Sequence, residues 1–361
     1  MGKEVDSKPV ILSPEEVEDF KKKHEVELID IYDLQAQELA RIDNPRSLEP
    51  IVKNLEEIYI YYPWTNQLVR CVGEKELSRL RTNRNQNLIT AEEQAKLGES
   101  TIGVAGMSVG SGIALALIYS GISKKIKIAD HDNLGSSNLN RLRESLLNVG
   151  KPKVKLTSRH IYELDPFSEV EMFEEGITDS NIERFFTLPK LDLVIDEIDD
   201  FKMKVQLRLY AKKLSVPLIM FTSLGDNILV DVERFDLDKD MPIFHGILKG
   251  VSEEILSSPE ITPQDIQRYS VQLVGQQYIP TRALDSVAEM GKTLVGRPQL
   301  YSTIAVDSGL GAYVVRQILL NNKPESGRYF VKFAELFNIN SNDLTDTNDR
   351  QSIIKKILEN D

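Results

Sequence analysis

The chain has 361 residues, with 44 Lys and Arg against 56 Asp and Glu, a formal charge of −12, 41% hydrophobic residues and a single cysteine. That length supplies core for two or three domains. The acid is spread along the chain, which argues against a nucleic-acid partner. One cysteine excludes an intramolecular disulfide and a multi-cysteine zinc site, as suits a reducing, cytoplasmic setting.

The opening "MGKEVDSKPVILSPEE" has no apolar signal core, and no apolar run reaches membrane-spanning length, so no membrane association is expected. Ser13 can cap a helix that starts at Pro14, with Glu16 closing a capping box. The charged repeat that follows, "EEVEDFKKKHEVELIDIYDLQAQELARI", predicts a helical arm. "IYIYYPWTNQLVRCV" is rich in β-branched and aromatic residues and interrupted by Pro63, which predicts edge strands about a turn. Cys71 lies in that run and reads as a small buried hydrophobe. "LITAEEQAKLGES" begins another helix, with Thr90 and Glu93 at capping-box spacing.

From 101 to 234 strands and helices alternate. "TIGVA", "IKIAD", "EVEMF", "LDLVIDEIDD" and "VPLIMFTS" read as strands. "SGIALALIYSG", "KVKLTSRHIYELDP", "NIERFF" and "KMKVQLRLYAKKL" read as the helices between them. This alternation predicts an α/β fold: a Rossmann-like, doubly wound, mainly parallel sheet covered by helices. Beyond it, "FDLDKDMPIFHGILKG" reads as a crossover or lid, and "TPQDIQRYSVQLVG" and "DSVAEMGKTL" as helices. "STIAVDSGLGAYVVRQILLN" reads as a long apolar helix in which Gly309 and Gly311 permit close packing. The tail "NINSNDLTDTNDRQSIIKKILEND" is polar with a terminal helix. The expected division is an N-terminal α+β region at 1–98, a nucleotide-binding domain at 99–234 and a C-terminal substrate and dimerisation region at 235–361.

Ligands of doubly wound folds sit at the C-terminal ends of the parallel strands. Three loops fall there: 106–112, 130–141 and 196–202. In the first, "GVAGMSVGSG", a dinucleotide fingerprint would need glycines at 106, 108 and 111, whereas the chain has Gly106, Ser108 and Ser111. Gly106 still allows a tight turn, and Gly110 leaves little side chain over a helix N-terminus suited to phosphate. Asp130 lies 24 residues after Gly106, near the spacing at which an acid accepts ribose hydroxyls, and Asp132 follows it. Asn138, Arg141 and Lys153 offer an amide, a guanidinium and an ammonium from the same edge. Asp199 and Asp200 are hard oxygen ligands suited to magnesium on a triphosphate. The four histidines, His24, His131, His160 and His245, are scattered and read as structural.

"RTNRN", "DHDNLGSSNLNR", "VGKPK" and "DLVIDEIDD", in that order, resemble the ThiF, MoeB and HesA adenylyltransferases, which share an adenylation fold with ubiquitin-activating enzymes. The resemblance covers about residues 78–235 and, more loosely, the helix at 302–320. It implies that Asp130 holds the ribose of ATP, that Asn138, Arg141 and Lys153 contact its phosphates, and that Asp199 organises magnesium. Arg84 matches an arginine that this family inserts into the neighbouring subunit's site, which implies a homodimer; Arg81 matches the preceding arginine.

The implied reaction is ATP- and magnesium-dependent adenylation of a carboxylate on a ubiquitin-like or sulfur-carrier protein, a peptide or a small molecule. The chain departs from the family at Ser108, Val109 and Ser111, at "RL" in positions 141 and 142, and in lacking the paired CxxC motifs. No zinc is therefore expected. With no cysteine after the nucleotide domain, activation is expected to stop at the adenylate. Two other readings stay open: an NAD(P)-dependent Rossmann oxidoreductase, and a non-catalytic, partner-binding subunit of an activating heterodimer.

Overall fold

A computed structural model describes residues 7–49, 51–290, 292–339, 345 and 347–359. Most of the polar stretch at 340–346 in the expected tail lies outside the described residues.

The N-terminal part is a small four-stranded sheet with helices. β1 (Val10–Leu12) leads into α1 (Pro14–Lys23), which starts as its sequence predicts: the Ser13 amide donates to Glu16 at 2.8 Å. The expected continuous arm is interrupted, because β2 (Glu27–Asp30) intervenes before α2 (Tyr32–Asp43). The reason is tertiary. "ELID" pairs in parallel with β4 (Gln67–Val72), which itself pairs antiparallel with β3 (Glu57–Tyr62). The strand order β1-β3-β4-β2 makes β3 and β4 central, a correction to their reading as edge strands. Pro63 is harmless there because it falls in the turn, where no ladder amide is needed.

The helix α3 (Glu74–Thr82), a 3₁₀ turn at Asn83–Asn85 and α4 (Ala91–Glu99) lead into the main sheet. The Thr90 capping box forms, with Glu93 donating its amide to the Thr90 hydroxyl at 3.2 Å.

The main sheet has seven strands. Those of the expected series are β5 (Thr101–Ala105), β6 (Lys125–Ala129), β7 (Glu169–Phe173), β8 (Leu193–Asp196) and β9 (Leu218–Leu224). Two more, β10 (Asn227–Glu233) and β11 (Gly327–Lys332), extend it with antiparallel pairing. The order is β11-β10-β9-β8-β5-β6-β7, with the five strands β5 to β9 mutually parallel, so the winding reverses between β5 and β8. Sequence reading missed β10 and β11. "NILVDVE" follows β9 across a two-residue turn, and "GRYFVK" lies about a hundred residues further on, where nothing local indicates its pairing.

Helices cover both faces. On one lie α5 (Val109–Tyr119) and α6 (Lys153–Leu164). On the other, α7 (Ile182–Thr187) and α8 (Phe201–Leu214) are followed by α9 (Val251–Ser257), α10 (Pro263–Val274) and α11 (Thr281–Glu289). The long helix α12 (Tyr301–Leu319) packs against α5. Gly311 makes that approach possible, since a Cβ there would stand 2.7 Å from Ile113 Cγ2. Gly309, expected to do the same, has no atom within 4 Å of its would-be Cβ and faces outward. Short α13 (Phe333–Leu336) and α14 (Asn348–Glu359) close the described chain.

The segment expected to be a crossover or lid is anchored rather than free. Phe244 is buried, its amide donates to Glu233 at 2.6 Å, and Arg208 stacks over its ring at 3.9 Å. Among the described residues no helix is long and apolar enough to cross a membrane.

Candidate active site

The reversal of winding between β5 and β8 opens a crevice at their C-terminal ends, the standard ligand position in such sheets. The glycine turn forms its floor. Gly106 adopts φ +95°, and a Cβ there would stand 2.3 Å from the Glu197 carbonyl oxygen, so the loops after β5 and β8 touch through backbone alone. Gly110 is similarly crowded, with Val104 Cγ1 2.8 Å from its would-be Cβ. The turn then delivers α5, whose first amides have no intrahelical partner and whose dipole favours an anion.

Asp130, at the end of β6, ties the turn down. Its Oδ2 accepts the Met107 amide at 2.6 Å and its Oδ1 the Asp132 amide at 2.7 Å. Each oxygen keeps a second lone pair. Lys153, the first residue of α6, is buried and points back to this turn, its Nζ 2.8 Å from Asp132 Oδ2 and 3.4 Å from Ser108 Oγ. Burial opposes ionisation of Asp132, but the Lys153 ammonium outweighs it and holds the carboxyl below the usual range. Ser108, a departure from a glycine pattern, therefore contributes a hydroxyl beside the cation.

Asn138 uses its side-chain oxygen to accept the Gly135 amide at 2.9 Å, which shapes the loop and leaves its NH₂ group for other partners. Arg141 donates to the Ser137 carbonyl at 3.1 Å and to Asn140 Oδ1 at 2.9 Å, while its buried Nε has no partner. Asp199 stands exposed after β8, bonded to no described residue, and its charge acts on Arg141. Asp200, weighed with it as a ligand, is instead the N-cap of α8, accepting the Met203 amide at 3.0 Å. So Gly106, Gly110, Asp130, Asp132, Asn138, Arg141, Lys153 and Asp199 lie on the loops after β5, β6 and β8 or on the first turns of the helices that follow them.

Arg84 does not. It is exposed on the 3₁₀ turn after α3, beside Asn85, which donates to the Ser120 carbonyl at 3.3 Å at the far end of α5. Arg81 is structural: it donates to Asp165 at 2.5 Å and to the Ile118 carbonyl at 2.6 Å, fixing α3 to the sheet helices. Cys71 is buried in β4, and burial pushes its thiol up to about 12.

Sequence reading missed a second layer beneath the crevice. Glu197 accepts the Phe221 amide at 2.8 Å, and burial, with Asp307 and Asp196 nearby, holds its carboxyl well above the ordinary range despite Lys204. Asp307, on α12, accepts the Ser223 hydroxyl at 2.6 Å while its other oxygen is buried without a partner; burial raises its pKa to about 7. The available signal was an isolated acid within an otherwise apolar helical run.

One carboxylate, Asp199, is available for a magnesium ion whose remaining ligands would be phosphates and water, the usual arrangement for that cation. Among the described residues no group of three or more His, Cys, Asp or Glu could hold an ion by itself.

The model of the ThiF family matches residues 81–340. An uncharacterised protein of Mycobacterium tuberculosis is 36% identical over 304 residues, covering 83% of this chain and 41% of the relative. A tRNA threonylcarbamoyladenosine dehydratase of Bacillus subtilis is 36% identical over 157 residues, covering 43% of this chain and 60% of the relative. The chain therefore spans less than two thirds of the length of either. Among solved structures, PaaA shares the fold at a TM-score of 0.50 and 19% identity, over 72% of this chain and 77% of that one.

Proposed function

The chain belongs to the ThiF family, and we propose that it activates a carboxylate with ATP, forming an acyl adenylate and pyrophosphate. The observation that carries the reading is Lys153: a buried ammonium at the start of α6, bonded to Asp132 and near Ser108, the residue that precedes α5 in the turn Asp130 holds. That is an anion site built from the ends of β5 and β6 and the start of α6.

Asp130 would accept the ribose hydroxyls with its remaining lone pairs. Lys153, Arg141, the Asn138 amide and the first amides of α5 would hold the phosphates. Asp199 would carry magnesium, which when bound neutralises phosphate charge. A carboxylate oxygen attacks the α-phosphorus, an O–P bond forms, the bond to pyrophosphate breaks, and the two electrons leave with pyrophosphate. The nucleophile is already ionised at neutral pH, so no general base is required. The barrier is charge repulsion and alignment, which cations and positioning lower. Loss of one such group costs on the order of 100-fold in rate, about 3 kcal/mol.

The activated carboxylate is that of a ubiquitin-like or sulfur-carrier protein, a peptide or a small molecule, and the acyl group passes to an external nucleophile. The name of the Bacillus subtilis relative adds a threonylcarbamoyl-adenosine of tRNA, whose threonyl group bears a carboxylate, as one more arm of a substrate screen. The active unit is a homodimer in which Arg84 serves the partner's site.

The test is calorimetric titration with ATP and magnesium and, separately, with NAD and NADP, followed by pyrophosphate exchange over a panel of carboxylates. ATP binding and exchange that Asp199→Ala abolishes without lowering the melting temperature supports the reading. Selective NAD or NADP binding replaces it with the oxidoreductase, and partner binding without nucleotide replaces it with the non-catalytic subunit.

A further inference from the structure

The loop between β6 and α6, residues 130–152, carries Asn138 and Arg141 yet holds only two short 3₁₀ turns, at Ser136–Asn138 and Leu146–Asn148. A stretch of that length is ordered where contacts offset its entropy. Its base is pinned by backbone: the Leu134 amide donates to the Lys151 carbonyl and the Gly150 amide to the Leu134 carbonyl, both at 2.8 Å. Leu134, Leu142 and Leu156 form a small core beneath it, with Leu139 packed against them.

Apolar burial does not hold the far end, where Leu146 and Leu147 are 73% and 86% exposed. Glu144 does. Its side chain is 10% exposed; Oε2 accepts the Asn148 side-chain amide at 2.9 Å, and Oε1 stands 3.4 Å from Nδ1 of His160, two turns after Lys153 on α6. A carboxylate withdrawn from water needs such partners. Toward α12, Arg143 Nε donates to the Tyr301 hydroxyl at 3.0 Å and the Asn140 amide to the Gln299 carbonyl at 2.9 Å. Between loop and helices there remains a cavity of about 20 Å³, room for about one water, with Arg141, Glu144, Thr157 and His160 among its walls.

Arg141 and Asn138 are bonded within the loop itself, Arg141 to the Ser137 carbonyl and Asn140 Oδ1, Asn138 to the Gly135 amide. Where those two side chains stand is therefore set by where the loop stands. We propose that Glu144 is a positioning residue, which straps the loop to α6 through His160 and so holds Arg141 and Asn138 where they meet the phosphates of the nucleotide. The service to phosphate rests on the adenylation reading; the strap itself does not.

Glu144→Ala tests it with two ligands and one probe of the loop. Calorimetric affinity for ATP should fall about tenfold and that for adenosine stay within about twofold, because adenosine lacks the groups that the loop would hold. A general loss of structure would move both. Glu144→Gln keeps the side chain's length and an acceptor for Asn148, and should recover most of the ATP affinity. Hydrogen exchange of the Arg141 and Leu142 amides, bonded to the Asn138 carbonyl at 3.0 and 2.9 Å, should quicken about tenfold in Glu144→Ala. His160→Ala removes one of the two contacts from α6 and carries the same test where Glu144→Ala does not fold, as melting temperatures will tell. Unchanged exchange would overturn the strap. Faster exchange with ATP affinity undiminished, or with ATP and adenosine weakened alike, would overturn its service to phosphate. Faster exchange in a protein whose wild type binds no ATP would sink the adenylation reading and leave the strap standing.

Discussion

Asp130 and Met107 are joined by a hydrogen bond of 2.6 Å, from the amide of the glycine turn to the carboxylate at the end of the neighbouring strand. The contact does two things: it holds the turn in shape and fixes the orientation of the carboxylate. Asp130→Ala leaves two amides without acceptors and removes the proposed ribose partner. ATP affinity should fall at least tenfold, since hydrogen bonds to a charged group contribute roughly 1.5–3 kcal/mol each. Calorimetric titration reads this directly, and an unchanged dissociation constant would remove Asp130 from the nucleotide site.

Gly106 is constrained twice, by φ +95° and by the Glu197 carbonyl oxygen 2.3 Å from its would-be Cβ. A left-handed conformation alone costs a side-chain-bearing residue about 1–3 kcal/mol, and here the obstruction is backbone, which cannot turn aside. Gly106→Ala should therefore destabilise by more than about 3 kcal/mol in denaturant titration. Gly110→Ala, which meets only the Val104 side chain at 2.8 Å, should cost less. Equal losses in the two variants would count against the backbone contact.

Asp307 makes stability depend on pH. Its folded pKa of about 7 lies above the ordinary 3.8, so between those values the native state holds a proton that the unfolded chain releases. Its contribution is greatest below pH 4 and is lost as pH rises through 7. Glu197, also raised, acts in the same direction. Asp307→Asn should flatten the stability profile between pH 4 and 7 and gain on wild type above it, by on the order of 2 kcal/mol. A parallel profile for the two proteins would show that the carboxyl is ionised in the folded state.

Cys71 offers the opposite expectation. A thiol pushed up to about 12 by burial is neutral at pH 7, so it should resist alkylation until the protein unfolds. Cys71→Ser should lose about 1–3 kcal/mol of stability by burying a hydroxyl, with ATP binding intact. Loss of binding in a folded variant would give Cys71 a part that its place in β4 does not.

Much of the candidate site's placement was legible because several of its residues sit at the ends of strands whose apolar runs are short and clean. "TIGVA", "IKIAD" and "LDLVI" each announce a buried strand, and the polar residues after them must gather at one edge of a parallel sheet. Asp130 and Asp199 follow from that rule without knowledge of any distance, whereas Lys153 opens a helix further along the chain. The helix caps at Ser13 and Thr90 were equally local, since both partners lie within one turn. Where partners are remote in sequence the reading failed. "ELID" carries a helical pattern on both sides, and only its pairing with β4 makes it a strand. β11 is assigned by hydrogen bonds to β10, about a hundred residues earlier.

Composition, periodicity and the order of motifs thus determined the layered α/β architecture and the crevice loops, because both depend on local hydrophobic pattern and chain direction. Tertiary structure decided which charges are free and which are used. Asp200 is spent as a cap, Arg81 as a clamp and Asp199 left open; Arg84 is turned away from its own crevice, and Glu197 and Asp307 are buried beneath it. Those outcomes depend on partners and on exclusion of water, and neither is written in the identity of a residue or of its neighbours along the chain.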